Sequence, residues 1–373
     1  MKIETFELER TQSLWENRVK HNLTESGLLP YTLTELLGEK EIAKLFSIRI
    51  GYGQTNGSIE LRETISRLYP GTDLDNVIVT NGAAEANFIL TWSLLAPGDE
   101  LILIVPNYMQ IWGIAHSNGV SVKTFPLREE LNWGPDIEEL KRLVSQKTKI
   151  ISVCNPNNPT GAIMSQHDME EIIRIAREVD AWVHADEIYR GSELNGIESP
   201  SFSGLYEKVI ISSGLSKAYA LPGLRIGWLV GPKDIIEKAW KYHDYTSITA
   251  GILSHYIATV VLQPEMRKKV LSRSRKILNE NLEEVKTFVK KHQDLFNFIP
   301  PRAGGMAFMR YNLEINSTEL CTKLREEKNV FIIPGDCFRM DHYIRLGIGN
   351  EKEEFITGLN LISEFLQEIK GIK

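Results

Sequence analysis

The sequence predicts an α/β protein, in which a large domain has a mostly parallel β-sheet sandwiched by helices and a smaller domain is α+β. Short apolar runs, such as 77–80, 101–105 and 149–153, alternate with longer segments of helical periodicity, as expected for repeated β–α–β units. At 373 residues the chain is also longer than one hydrophobic core usually fills. After Gly231 the pattern changes to a long charged helix and several short strands, which indicates the second domain.

The composition is that of an ordinary globular protein, with 42 % hydrophobic and 25 % charged residues. The net charge of −6 gives no electrostatic reason to expect nucleic acid or an anionic membrane as a partner. Residues 1–18 lack the pattern of a secretory signal, and no apolar run is long enough to span a bilayer. The three cysteines lack paired spacing, which predicts a reducing, cytoplasmic location and no zinc site.

Residues 208–231, KVIISSGLSKAYALPGLRIGWLVG, carry the pattern from which a chemistry can be predicted. Two apolar runs, 209–211 and 224–230, are typical of strands and flank a loop of small residues that presents Lys217. Arg225 lies eight residues further on, at the start of the second run. A lysine amine can condense with an aldehyde, and a guanidinium can bind a phosphate through two hydrogen bonds. Pyridoxal 5′-phosphate (PLP) carries both groups, so we expect it as the cofactor.

Two further motifs follow apolar runs, at positions where a parallel sheet binds its ligands: NPNNPTG at 155–161 and HADEIYRG at 184–191. Together with the lysine segment, they make the chain resemble the class I and II aminotransferases, PLP-dependent enzymes of fold type I. The resemblance runs from about residue 30 to the C-terminus. It implies a large cofactor-binding domain over 46–262, and a small domain that both termini form, from 1–45 and 263–373. It also implies a homodimer with shared active sites.

The resemblance assigns catalysis to three residues, Lys217, Asp186 and Tyr189. Lys217 is expected to bind the cofactor covalently and then to move the substrate proton. Asp186 is expected to pair with the protonated pyridine nitrogen, since an unpaired carboxylate at the end of a buried strand would be costly. Asn158 and Tyr189 are expected to bond the phenolic oxygen of the cofactor, and Tyr108 to stack on its ring.

A phosphate site is predicted where Gly82, Ala83 and Ala84 open a helix, because small residues let backbone N–H groups approach an anion. The resemblance adds two side chains to this site, Arg225 and, from the neighbouring subunit, Tyr52. Family members usually have a serine or threonine three residues before the lysine, where this chain has glycine. We expect a neighbouring hydroxyl to take over part of that role, from either Ser213 or Ser216.

The substrate contacts also follow from the resemblance. Arg345, within YIRLGIG, is assigned the substrate α-carboxylate, which its planar guanidinium can bind through two hydrogen bonds. Asn158 and Gly27 are expected beside the substrate, although the turn NLTESG around Gly27 departs from the common family pattern. Residues 4–20 are expected to form a peripheral helix.

The predicted function is that of an aminotransferase which uses PLP, without a metal, to move an amino group between an L-amino acid and a 2-oxo acid. The sequence places no second arginine opposite the distal end of the substrate, so an aspartate-type preference is only one possibility. A lyase or cyclase on the same scaffold is an alternative, such as a carbon–sulfur lyase or a capreomycidine-synthase-like enzyme. A non-catalytic sensor of this fold is a remote alternative, because such sensors normally carry a DNA-binding domain and this chain has no basic helix-turn-helix extension.

Overall fold

The computed structural model describes residues 3–371. Its helices are α1 Glu7–Trp15, α2 Leu33–Leu36, α3 Glu39–Phe46, α4 Ile59–Ser66, α5 Ala83–Leu94, α6 Gln110–Ser117, α7 Ile137–Leu143, α8 Gln166–Glu178, α9 Lys233–His243, α10 Ile252–Val261, α11 Pro264–Lys291, α12 Ser317–Lys328 and α13 Lys352–Ile369. Its strands are β1 His21–Asn22, β2 Val77–Thr80, β3 Glu100–Val105, β4 Ser121–Arg128, β5 Gly134–Pro135, β6 Thr148–Cys154, β7 Trp182–Asp186, β8 Val209–Gly214, β9 Gly227–Val230, β10 Phe296–Phe298, β11 Met306–Tyr311, β12 Val330–Phe331, β13 Ile333–Pro334 and β14 Tyr343–Gly347. Between residues 3 and 371, no helix is long and apolar enough to cross a membrane.

An eight-stranded sheet forms the larger part of the fold, in the order β2-β9-β8-β7-β6-β3-β4-β5. The five strands from β8 to β4 pair in parallel, whereas β9 and β5 are antiparallel to their neighbours. The inner strands are buried along nearly their whole length, as parallel strands covered by helices on both faces must be. The predicted fold class, a mostly parallel sheet sandwiched by helices, is therefore confirmed.

The register of three neighbouring strands determines where the predicted motifs meet. Cys154 on β6 pairs with Asp186 on β7, and Asp186 pairs with Ser212 on β8. Because the carboxyl ends of these parallel strands lie at the same edge of the sheet, the segments that follow them open at one place. Those segments are the asparagine–proline loop, the HADEIYRG motif and the lysine loop.

A second sheet has four antiparallel strands in the order β10-β11-β14-β13. One hydrophobic cluster of this sheet includes residues from α11, α12 and α13, such as Leu282, Leu324 and Phe365. Other side chains of the sheet, such as Phe308 and Tyr343, pack in the same cluster as the large sheet. The N-terminal strand β1 pairs in parallel with β12, so the beginning of the chain also lies in this part of the structure.

Three glycines allow residues 25–28 to cross the second sheet at close range. A Cβ atom added to Gly347 would lie 2.1 Å from the carbonyl oxygen of Glu25. Added to Gly349 or Gly305, it would lie 2.0 Å or 2.4 Å from the carbonyl oxygen of Gly27. Backbone atoms could not approach so closely if these positions carried side chains. The glycines therefore let the N-terminal segment pass next to the lysine loop.

Candidate active site

A cavity of about 460 Å³ opens at the carboxyl edge of the large sheet. Most of the predicted site residues line it, namely Ala83, Ala84, Tyr108, Asn158, Asp186, Tyr189, Ser216, Lys217 and Arg225. These residues come from widely separated parts of the chain, and the strand register brings them together. The structure thus gathers the predicted groups around one space of the size of a small-molecule site.

One end of the cavity is suited to an anion. Gly82 precedes α5 with a φ of 85°, a conformation that favours glycine, and Ala83 is the first residue of the helix. A Cβ atom on Gly82 would lie 2.3 Å from Nη2 of Arg225, so the guanidinium is packed against the beginning of the helix. Arg225 does not begin a strand, as the sequence suggested; it has left-handed φ and ψ in a turn before β9. A helix N-terminus next to an arginine is a favourable phosphate site.

Asp186, at the end of β7, is suited to bind a cation. Its Oδ1 accepts a hydrogen bond from the Ile188 backbone N–H at 3.1 Å, and its Oδ2 accepts one from Nδ2 of Asn87 at 3.3 Å. Burial raises the pKa of this carboxyl to about 6, because these hydrogen bonds do not fully replace water. The Asn87 Oδ1 is also buried and lacks a partner within the described chain. A ligand that brings a cation here would remove part of the cost of burying Asp186.

His184 and Glu187, which belong to the same motif as Asp186, are hydrogen-bonded to other residues of the protein. His184 lies between Ser152 and Ser212, with each ring nitrogen 2.9 Å from a hydroxyl oxygen, and burial lowers its pKa to about 3. The Glu187 carboxylate accepts hydrogen bonds from the Ser201 hydroxyl and the Phe202 backbone N–H. Neither residue lines the cavity.

Lys217 forms an ion pair inside the cavity. Its Nζ lies 2.7 Å from Oε1 of Glu25, in the turn that the three glycines position. The Lys217 charge, partly opposed by burial, lowers the pKa of Glu25 to about 2, so this carboxylate is ionised at neutral pH. For Lys217, burial is the largest single effect and lowers the pKa, but the charge of Glu25, the hydrogen bond to it and the nearby Tyr189 together outweigh burial, and the net shift is upward. Glu25 was not among the residues predicted from the sequence.

Arg345 is almost completely buried, with 1 % of its surface exposed, and it holds the site together. Its Nη1 donates to Oδ1 of Asn158 at 2.9 Å, and its Nη2 donates to the Thr24 carbonyl oxygen at 2.7 Å. Its Nε has no partner within the described residues. Since Asn158 uses its oxygen here, its NH₂ group can donate to a ligand. Nearby, the Tyr189 hydroxyl donates to Oγ of Ser26 at 2.9 Å.

Tyr52, Ser213 and Gly27 were predicted for the site but do not line the cavity. Tyr52 lies outside the cavity with 87 % of its surface exposed. Ser213 is buried, and its hydroxyl donates to the Glu187 carbonyl oxygen at 3.1 Å, so Ser216 is the better placed of the two hydroxyls. Gly27 contributes backbone close to the lysine: a Cβ atom there would lie 3.6 Å from Cδ of Lys217.

The N-terminal helix α1 was expected to be peripheral, and this was wrong. Four of the lining residues belong to it or flank it, namely Phe6, Glu9, Gln12 and Glu16. The ring of Phe6 packs edge-on against that of Tyr108, with centroids 4.9 Å apart, and the Tyr108 hydroxyl donates to Glu9. The spacing 9, 12 and 16 puts these polar residues on one helix face. That periodicity was visible in the sequence, but only the fold shows that the face meets a cavity.

The donor set fits PLP. Arg225 and the beginning of α5 would hold its phosphate, Asp186 its ring nitrogen, Asn158 and Tyr189 its phenolic oxygen, and Lys217 its aldehyde carbon. The close packing of Gly82 on Arg225 and the partnerless Asn87 oxygen near Asp186 are the observations that support the fit. The fold and site together define a PLP-dependent enzyme of the aminotransferase type.

Comparison with known proteins identifies the family. The family model for aminotransferase class I and II matches residues 22–357, and the chain belongs to this family. It is a PLP-dependent aminotransferase, and it is similar to the crystal structure of a PLP-dependent aminotransferase from Streptococcus suis, with 34 % identity, a TM-score of 0.93 and 99 % of each chain covered. The sequence-based prediction of the family and the cofactor is confirmed.

Two curated relatives differ in their reactions. Capreomycidine synthase from Streptomyces vinaceus is 28 % identical over 94 % of this chain and 90 % of that protein. Aspartate aminotransferase from Thermotoga maritima is 26 % identical over 92 % of this chain and 91 % of that protein. Both the main predicted function and its cyclase alternative are therefore represented among the relatives.

The raised pKa of Asp186 gives a prediction about stability. Native protein without cofactor holds the Asp186 proton up to about pH 6, whereas the unfolded chain releases it near its ordinary value, so this group destabilises the fold increasingly as pH rises through that window. Asp186→Asn should raise the melting temperature of cofactor-free protein by roughly 2–4 °C at pH 8. The gain should vanish at pH 3.5–4, and calorimetry at the two pH values measures it. An equal gain at both would show that the carboxylate charge is not the cause.

Proposed function

We propose that the enzyme transfers the amino group of an L-amino acid to a 2-oxo acid at this cavity. The observation that carries the proposal is the joint position of Lys217, Asp186 and Arg225 around one space, with the buried Arg345 beside it. Arg345 would bind the substrate α-carboxylate with its partnerless Nε and the outer edge of its guanidinium. Asn158, held by Arg345, would then face both substrate and cofactor.

The bound cofactor would supply an electron-withdrawing ring, and the protein residues would control it. Asp186 would keep the ring nitrogen protonated, which strengthens the electron withdrawal. Tyr189 and Asn158 would donate hydrogen bonds to the phenolic oxygen. Lys217 Nζ, once released from the cofactor, would carry the proton from the substrate Cα to the cofactor carbon that comes to bear the amino group. Glu25, 2.7 Å from that nitrogen, would fix its position.

We also infer the domain division and location that the sequence suggested. The second sheet and the second hydrophobic cluster, which the C-terminal part of the chain mostly builds, support a large domain over 46–262 and a small one from 1–45 and 263–373. The three cysteines are all free and buried, which supports a reducing compartment such as the cytoplasm.

We further propose a homodimer in which Tyr52 reaches the phosphate in the partner's site. Tyr52 is 87 % exposed, and large apolar side chains with similar exposure lie near it in sequence, namely Phe46 at 83 % and Ile50 at 86 %. Exposed apolar residues of this size are typical of a surface that another chain covers. Tyr245, which is 88 % exposed, is a further candidate for that surface.

The similarity to capreomycidine synthase supports a second candidate, a cyclase or lyase that uses the same cofactor chemistry. In such an enzyme Lys217 would again remove the Cα proton, the substrate would then lose a leaving group, and no 2-oxo acid would be needed for the next turnover. Glu25 next to Lys217 is a further group that could take part in proton transfer.

Lys217→Ala should lose the visible absorbance of covalently held cofactor and roughly 10²–10⁴-fold or more in turnover, because its amine is the proposed base. Lys233→Ala is the matched control, since it removes a lysine that pairs with Asp73 on the surface. Absorbance titration with PLP and steady-state rates give the two readouts. Near-normal turnover without added amine would contradict the assignment.

The two candidate reactions differ in their need for an acceptor. With an amino donor and no 2-oxo acid, an aminotransferase should complete one half-reaction per site and stop. A rapid-quench count of product per site measures this, and adding 2-oxoglutarate should restart the reaction. Continuous product formation without acceptor would instead support the cyclase or lyase.

Shared sites predict complementation between two inactive variants. In a mixture of Lys217→Ala chains with Tyr52→Glu chains, each heterodimer would have one site with both changes and one with neither. After subunit exchange, about a quarter of wild-type activity should return, since half the dimers are mixed and each has one intact site. Mixing Lys217→Ala chains with doubly changed chains is the control and should stay inactive. If exchange is demonstrated by mass labelling and no activity returns, Tyr52 acts in its own subunit.

A further inference from the structure

We propose that the amino donor carries a cationic side chain, a guanidinium or an ammonium group, which three glutamates of the cavity recognise. These glutamates, Glu9, Glu16 and Glu25, are called the acidic wall. The inference rests on the proposed function, because it takes the same cavity as the substrate site. It adds a substrate class to that function.

The acidic wall is built from the N-terminal part of the chain. Glu9 lies on the cavity side of α1 and Glu16 directly follows the helix; both line the space, together with Gln12 between them. Glu25 follows in the turn that crosses the second sheet, and 44 % of its side chain is exposed. All three glutamates are partly buried, so they keep access to a ligand.

Hydrogen bonds fix the helix that carries the wall. Gln12 donates from Nε2 to Oγ1 of Thr24 at 3.2 Å, and the Thr24 carbonyl accepts from Arg345. At the other end of α1, Glu9 accepts from the Tyr108 hydroxyl. Glu9 thus adjoins the proposed ring-stacking tyrosine, while Gln12 is tied to the proposed α-carboxylate site. A donor bound at Arg345 would extend its side chain along this wall.

The balance of charge in the cavity favours a further cation. The proposed cofactor and α-carboxylate pair with Asp186, Arg225 and Arg345: the ring nitrogen with the first, the phosphate with the second and the α-carboxylate with the third. Lys217 pairs with one carboxylate of the acidic wall, Glu25. Among the residues that line the cavity, no cationic side chain then remains for Glu9 and Glu16.

Two buried polar atoms show independently that the space receives a polar ligand. Arg345 is 1 % exposed and its Nε has no partner, and Asn87 is 3 % exposed and its Oδ1 has none, within the described residues. Buried groups of this kind are normally satisfied, and leaving them unpaired is costly. Asn87 lines the same cavity as the acidic wall, and Arg345 adjoins the cavity through its hydrogen bond to Asn158. The wall is therefore part of a ligand site and not an isolated group of surface acids.

The wall also disfavours an acidic donor. An aspartate or glutamate side chain would bring a fourth carboxylate to the same part of the cavity, and like charges at short range repel. A guanidinium presents several N–H donors and can contact two carboxylates at once, whereas an ammonium offers a compact charge. We expect donors to rank in the order cationic, neutral, acidic.

Pairs of donors of matched shape test the ranking. L-Arginine is compared with L-citrulline, its uncharged analogue, and L-lysine with L-norleucine; L-aspartate serves as the acidic donor. With PLP-loaded enzyme and 2-oxoglutarate, kcat/KM should be at least tenfold higher for the charged member of the better pair, and lowest for aspartate. A tenfold difference corresponds to ~1.4 kcal/mol, which is close to the lower limit for one hydrogen bond to a charged group.

Variants of the wall test its residues directly. Glu9→Gln and Glu16→Gln should each reduce the ratio of kcat/KM between the charged and neutral donors by about tenfold. Glu7→Gln is the matched control, because Glu7 belongs to the same helix but lines a different hollow, beside Thr11 and Cys337. Its ratio should stay within twofold of wild type. Melting temperatures of all variants show whether each one folds.

Binding without turnover gives a second readout. 5-Guanidinopentanoate keeps the carboxylate and guanidinium of arginine but has no α-amine to transfer. Calorimetry should show that the loaded enzyme binds it at least tenfold more tightly than hexanoate, and that Glu16→Gln removes most of this difference.

Two kinds of result overturn the inference. A preference for neutral or acidic donors in an active, PLP-loaded enzyme, or ratios that Glu9→Gln and Glu16→Gln leave unchanged, would reject the cationic donor alone. Absence of any reaction with every donor, together with failure to bind PLP, would reject the proposed function and this inference with it.

Discussion

The arrangement of the site depends on one buried guanidinium. Arg345 lies on β14 of the second sheet, Asn158 lies in the loop after β6 of the large sheet, and Thr24 belongs to the N-terminal segment. One side chain therefore joins three parts of the chain that are distant in sequence. Burying a charge is costly unless its hydrogen-bonding groups are matched, so these two bonds have a strong effect on how the parts meet. The cavity is formed where they meet.

The same constraint explains the course of the N-terminal segment. Residues 25–28 pass across the second sheet in contact with three glycines, and this route brings Glu25 within 2.7 Å of Lys217 Nζ. The segment then connects through Thr24 and Gln12 to α1. This N-terminal segment belongs to the proposed small domain, and in the folded protein it forms one side of the proposed active site.

The sequence allowed much of this to be predicted, for a physical reason. Lys217, Asp186 and Asn158 follow buried apolar runs, and the ends of parallel strands meet at one edge, so local patterns were enough to bring them together. The contact between Glu25 and Lys217 joins residues 192 positions apart and leaves no local periodicity. Glu9 and Glu16 had a helical spacing, but charged residues on a helix face usually contact water. Only the packing of α1 on Tyr108 distinguishes this helix from a solvated one.

Different parts of the chain are proposed to bind the cofactor and the substrate side chain, and this has an evolutionary consequence. The groups proposed to hold the cofactor come from loops anchored in the large sheet, whereas two of the three residues of the acidic wall lie on or directly after a helix of nine residues near the N-terminus. Substitutions on one face of that helix would alter the charge presented to a substrate and leave the strand ends untouched. A lineage could therefore acquire a new donor through a few changes near the N-terminus, while the residues at the strand ends are inherited without alteration.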